Sequence, residues 1–73
     1  MSNIQINSVY RHYKGNKYLV LLRAKHSETL EDMIVYVSLY KNPESQVWVR
    51  PAKMFFEEVT FEGKKVPRFQ LIK

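Results

Sequence analysis

The chain has no cysteine, so neither disulfides nor thiolate metal ligands can contribute to its stability. Its two glycines, Gly15 and Gly63, lie far apart, which excludes a glycine-rich loop able to cradle a phosphate. No apolar stretch approaches the ~18–20 residues needed to cross a bilayer. Residues 1–7 lack the basic start and apolar run of a signal peptide. With the absence of cysteine, this predicts a cytoplasmic protein without a membrane partner. Acidic residues are scarce: seven Asp and Glu stand against twelve Lys and Arg, a net charge of +5. The cations are scattered, with no block of five or six. The balance therefore reads equally as solubilising surface charge or as attraction to an anionic partner.

What remains is a globular composition, 45% apolar and 14% aromatic in 73 residues. That length predicts a single domain over residues 1–73. A chain this short buries only about 60% of its unfolded surface, so the core must supply nearly all the stability. No repeat, low-complexity tract or Gly/Ser linker divides the sequence.

Short β-type runs separated by turn signals fill the chain. Residues 9–13 form the first, and Gly15-Asn16 supplies the turn after it. Residues 18–24 form the second, with Tyr18, Val20, Leu22 and Ala24 on one face and Leu19 and Leu21 on the other. Residues 26–32 read as a loop, too short for a stable helix. Residues 33–40 alternate Met33, Val35, Val37 and Leu39 against Ile34, Tyr36, Ser38 and Tyr40. After the turn at Asn42-Pro43-Glu44-Ser45, residues 47–50 form a short strand stopped by Pro51. Residues 51–56 read as one helical turn opened by proline. Residues 59–61 and 66–71 are predicted to pair as a hairpin across residues 62–65, with Pro67 marking an edge or a bulge. Five or six short antiparallel strands and one helical turn describe an all-β fold, a small SH3-like barrel or roll, with an open, strongly bent antiparallel sheet as the second choice.

The strings Tyr10-Arg11-His12-Tyr13-Lys14-Gly15-Asn16, His26-Ser27-Glu28-Thr29, Trp48-Val49-Arg50-Pro51 with Met54-Phe55, and Pro67-Arg68-Phe69 carry a resemblance. Taken in that order, they resemble a bacterial family, domain of unknown function 1653, over about residues 8–71. Four ordered motifs are far more specific than one. The resemblance implies an SH3-like barrel. It implies no activity, no cofactor and no functional residue.

Three site chemistries can be weighed on the residues alone. His26, Ser27 and Glu28 offer the residue types of a hydrolytic triad, but adjacent side chains diverge. Ser27 and Thr29 are better read as bonding local backbone. His12 and His26 lie fourteen positions apart without the paired spacing of a zinc site, so no metal site is predicted. The strongest pattern interleaves rings and cations: Tyr10, Arg11, Tyr13, Lys14 and Lys17 early, then Tyr36, Tyr40, Trp48 and Arg50. Such a surface can stack bases and reach phosphates, or form an aromatic groove for a peptide. Against that stands alternation, which turns about half of these rings inward, with Trp48 and Phe55 the first choices for the core. Arg50 and Arg68 each adjoin a proline, and locking a turn is the stronger reading for both.

The sequence therefore predicts a binding module without catalytic activity or cofactor. Its expected site draws on Tyr10, Arg11, Tyr13, Lys14, Tyr36, Tyr40, Trp48, Arg50 and Arg68, and a protein or peptide is the leading partner. The alternatives are single-stranded nucleic acid, and a structural role through self-association along an uncovered strand edge.

Overall fold

A computed structural model of the chain describes residues 6–72. The single-domain reading also spans residues 1–5 and 73, which lie outside the described residues. Seven strands and one short helix follow in the order β1 (Val9–His12), β2 (Lys17–Lys25), β3 (Asp32–Ser38), β4 (Val47–Pro51), α1 (Ala52–Phe55), β5 (Glu58–Phe61), β6 (Lys64–Pro67) and β7 (Phe69–Leu71).

Five strands form one antiparallel sheet in the order β4-β3-β2-β1-β7, and β5 and β6 form a separate hairpin. The fold is mostly β, in two sheets, and the larger sheet does not close into a barrel. The expected closed barrel does not form; the larger sheet stays open, as in the second choice. Closure fails because the last long run divides: β6 turns back on β5, while β7 leaves to pair with β1, setting His12 opposite Phe69. The expected hairpin spanning residues 59–71 is thus two separate pairings. Its turn is also tighter than expected. Glu62 and Gly63 both take positive φ, 53° and 79°, the backbone of a two-residue type I′ turn.

The second strand departs from simple alternation. Val20 lies opposite Tyr36 but Leu22 lies opposite Val35, so Leu21 is an extra residue, a β-bulge. Beyond it the faces exchange. Leu22 and Ala24 leave the side occupied by Tyr18 and Val20, and Leu22 is 48% exposed.

The core lies on one side of the sheet: Tyr10, Val20, Ile34, Tyr36 and Phe69, joined by Ala52 and Phe55 from α1. Pro51 ends β4 and stands at the N-cap of α1 without a side-chain capping bond, so the helix begins one residue after the proline expected to open it. The short helix survives because Phe55 is fully buried, stacked flat on Phe69 with ring centroids 4.1 Å apart. Arg68 fixes the join between α1 and β7. Its Nε donates to the Met54 carbonyl at 3.0 Å, and its Nη2 pairs with Glu57 Oε1 at 2.9 Å. This is the turn-locking role that its proline neighbour suggested.

Candidate functional site

Alternation along β3 and β4 builds a cleft on the core side of the sheet, near the β3–β4 turn. Tyr36 and Trp48 are cross-strand partners, and Arg50 lies opposite Ile34 one step further on. Tyr18 on β2 lies opposite Ser38. Tyr18, Tyr36, Trp48 and Arg50, with Asn42 and Glu44 from the turn, line a cleft of about 230 Å³.

A hydrogen-bond network stiffens its walls. Trp48 Nε1 donates to Ser38 Oγ at 3.1 Å. Asn42 Nδ2 donates to the Tyr40 hydroxyl at 3.0 Å, and the Tyr40 and Tyr18 hydroxyls lie 2.8 Å apart. Gln46 ties the turn down through the Ser38 and Tyr40 carbonyls. Burial, reinforced by the bond to Tyr40, pushes the Tyr18 phenol well above its ordinary value. It therefore stays a neutral donor and acceptor.

Arg50 is the cation of the cleft. Its Nε donates to the Tyr36 hydroxyl at 3.2 Å, and its guanidinium carbon lies 5.6 Å from the Phe69 ring centroid. Among the described residues, neither terminal nitrogen has a hydrogen-bond or ion-pair partner. A guanidinium oriented by Nε and by a ring, with its outer edge open, is arranged to receive a carboxylate or phosphate in a fork. Its field reaches His12, whose pKa is lowered to about 4, first by burial and then by Arg50, Arg68 and Lys14.

The expected ring-and-cation surface does not form one face. Tyr10 and Tyr36 are each only 4% exposed; alternation on β1 and β3 turns both rings into the core, and only the Tyr36 hydroxyl reaches the cleft. Trp48 and Arg50 line it, and Tyr40 is bonded to its Tyr18 and Asn42 walls, all three half-buried. Arg68 is spent on its clamp. Arg11 points from the opposite side of the sheet, level with Lys17. Tyr13 and Lys14 sit at the β1–β2 turn, where Tyr13 packs edge-on against Phe61 and Lys14 lies over the Tyr13 ring at 5.8 Å. Tyr13 borders a second groove, also about 230 Å³, with Arg11, His12 and Pro67.

Tyr18, Asn42 and Glu44 line the cleft but do not belong to the expected site, and buried Ser38 holds Trp48 and Asn42 from behind. Tyr18 shares parity with Val20 and could have been found from that. Asn42 and Glu44 read only as turn chemistry. His26 takes no part: its Nδ1 accepts the backbone N–H groups of Glu28 and Thr29 within its own loop. Among the described residues, no cluster of three or more His, Asp or Glu could hold a metal ion. No described helix is long and apolar enough to cross a membrane.

Comparison with known proteins agrees with the motif reading. No curated protein matches the chain. A crystal structure of a protein belonging to the same family, from Bordetella bronchiseptica, superposes with a TM-score of 0.85 at 35% sequence identity. The match covers 93% of this chain and 87% of that one. Residues 8–71 match the family described as "Protein of unknown function (DUF1653)", and the chain belongs to that family.

Proposed function

We propose that the chain is a noncatalytic binding module of the bacterial cytoplasm, and that it holds a protein or peptide partner by an acidic group seated on Arg50. The state of Arg50 carries this reading. Its Nε is committed to Tyr36, its flat face lies near Phe69, and its outer nitrogens are unpaired among the described residues. An arginine fixed in this way loses little freedom on binding, so more of the interaction appears as affinity. Trp48 and Tyr18 stand on either side as walls for an extended backbone or a proline ring. The noncatalytic part rests on the chemistry of the cleft: the Tyr18 and Tyr40 hydroxyls bond each other, Trp48 and Arg50 hold those of Ser38 and Tyr36, and among the described residues none is bonded to the Glu44 carboxylate.

Single-stranded nucleic acid is the second reading, favoured by the rings of Trp48 and Tyr18 beside a cation. The placement of charge weighs against it. A strand needs a track of cations for successive phosphates, whereas Arg11 and Lys17 lie across the sheet, Arg68 is clamped and Glu44 stands at the rim.

A pulldown from native bacterial lysate tests both readings, with Arg50→Gln as the paired bait. The expected result is a protein partner held by the wild type, with affinity reduced about 10–100-fold in the variant, as for loss of a charged hydrogen bond. Equal capture by both baits sinks the proposal. Capture of RNA that is lost steeply between low and physiological salt moves the assignment to the second reading.

A further inference from the structure

The sheet has two faces, and α1 packs on only one of them through Ala52 and Phe55. Cross-strand register assembles the other into apolar rows. Leu19, Val37 and Val47 form one, and Leu22, Val35 and Val49 form the next. The bulge at Leu21 makes this continuous, because it carries Leu22 across to this side. Leu22, Val47 and Val49 are 48%, 54% and 57% exposed. A contiguous apolar patch on a small domain marks an interface.

Charge at the two ends of the face identifies what covers it. Beyond the first row, Arg11 and Lys17 lie opposite each other on the same face. At the far end of β2 the chain enters the β2–β3 loop, with Glu28 and Glu31 both exposed. Among the described residues, none of these four charges has an ion pair of its own. The face is thus apolar in the middle and basic at one end, and the loop beyond its other end carries two exposed carboxylates, with Arg23 turned to the opposite face and Lys25 neutralised by Asp32. Such a pattern is complementary to itself when turned end for end.

We infer that this face is an isologous interface between two copies of the chain. The two-fold axis lies between the sheets and runs perpendicular to the strands. That axis reverses β2 over its mate, setting Lys17 and Arg11 of each copy toward Glu28 and Glu31 of the other. An axis along the strands would instead bring the basic ends together. Packing two sheets nearly aligned is an ordinary geometry, with the inner faces about 10 Å apart. The five strands, of 4, 9, 7, 5 and 3 residues, cover roughly 450 Å² of one face at about 3.3 Å per residue and 4.8 Å per strand. A standard interface takes about 800 Å² per partner. The face falls short of that, so the dimer is weak, and it leaves the Arg50 cleft open on the opposite side.

Sedimentation over a range of concentrations, from low to high micromolar, tests the inference on the whole chain. The wild type passes from monomer to dimer within that range. Val49→Asp remains a monomer throughout with an unchanged circular dichroism spectrum, since Val49 lies on the surface. Lys17→Glu weakens the dimer about tenfold, because the axis doubles each lost pair, and adding Glu31→Lys to it restores association. Leu22→Cys, in a chain with no other cysteine, crosslinks to its own copy on oxidation. A wild type that stays monomeric at every concentration overturns the inference. So does a dimer indifferent to Val49→Asp, which would join through the β4 edge instead.

Discussion

His12 lies where three cations converge on a partly buried imidazole. Burial and the fields of Arg50, Arg68 and Lys14 lower its pKa from 6.5 to about 4. Its Nδ1 also accepts the Lys14 backbone N–H, which only an unprotonated nitrogen can do. The folded-state value lies below the unfolded one, so the unfolded chain binds the proton first as pH falls. Stability is then full above about pH 6.5 and declines as the pH drops toward 4. Urea midpoints at pH 7 and pH 5 will show this decline, and His12→Gln will flatten it. Parallel decline in both proteins would show that other groups govern the effect. Leu30 poses a different question at the same scale. It holds φ at 62° and is 68% exposed, so it carries left-handed strain and has little packing to lose. Leu30→Gly relieves the strain but adds chain entropy to the unfolded state, for a net gain of about 0.5 kcal/mol. A loss of stability on urea titration would contradict that balance.

Among the elements, α1 depends most on a single contact. Four residues cannot hold a helix by hydrogen bonding alone. The stack of Phe55 on Phe69, with Tyr10 and Tyr36 edge-on to Phe55, keeps it in place. Phe55→Ala is expected to cost about 3–5 kcal/mol, most of the margin of so small a domain. Loss of sharp near-ultraviolet dichroism in Phe55→Ala, with Phe55→Leu still folding cooperatively, is the expected pair of results. A loss under about 1 kcal/mol in the alanine variant would mean that the stack contributes little.

The elements also show what alternation can reveal and where it stops. Alternation over residues 33–38 reveals both faces of β3 correctly, because no residue is inserted there, although the strand ends at Ser38, short of the expected Tyr40. In β2, three leucines near the bulge suit either face, so nothing in their hydrophobicity marks Leu21 as the extra residue. Pro67 did signal a break, yet the departure of β7 toward β1 is a long-range pairing that no local pattern encodes. The cleft was half legible for the same reason. Tyr40, Trp48 and Arg50 lie close along β3, its turn and β4, whereas Tyr18 joins them only through sheet register.

For the molecule as a whole, charge is divided by face and by end. Arg50 serves the cleft, Arg68 serves the fold, and Arg11 and Lys17 serve the opposite side. The net charge of +5 therefore does not act as one field, and raising salt will separate its roles. Moderate salt will weaken a dimer held partly by end charges, while the apolar rows hold it against complete dissociation. The union of β7 with β1 also has a consequence in time. A ribosome extends the chain at about 5–20 residues per second, and β1 through β4 emerge well before Phe69 does. Until Phe69 arrives, Phe55 has no ring to stack on and the nascent sheet shows oily surface on both sides. The interval before that strand docks is when the newborn chain is most open to chaperones and to aggregation.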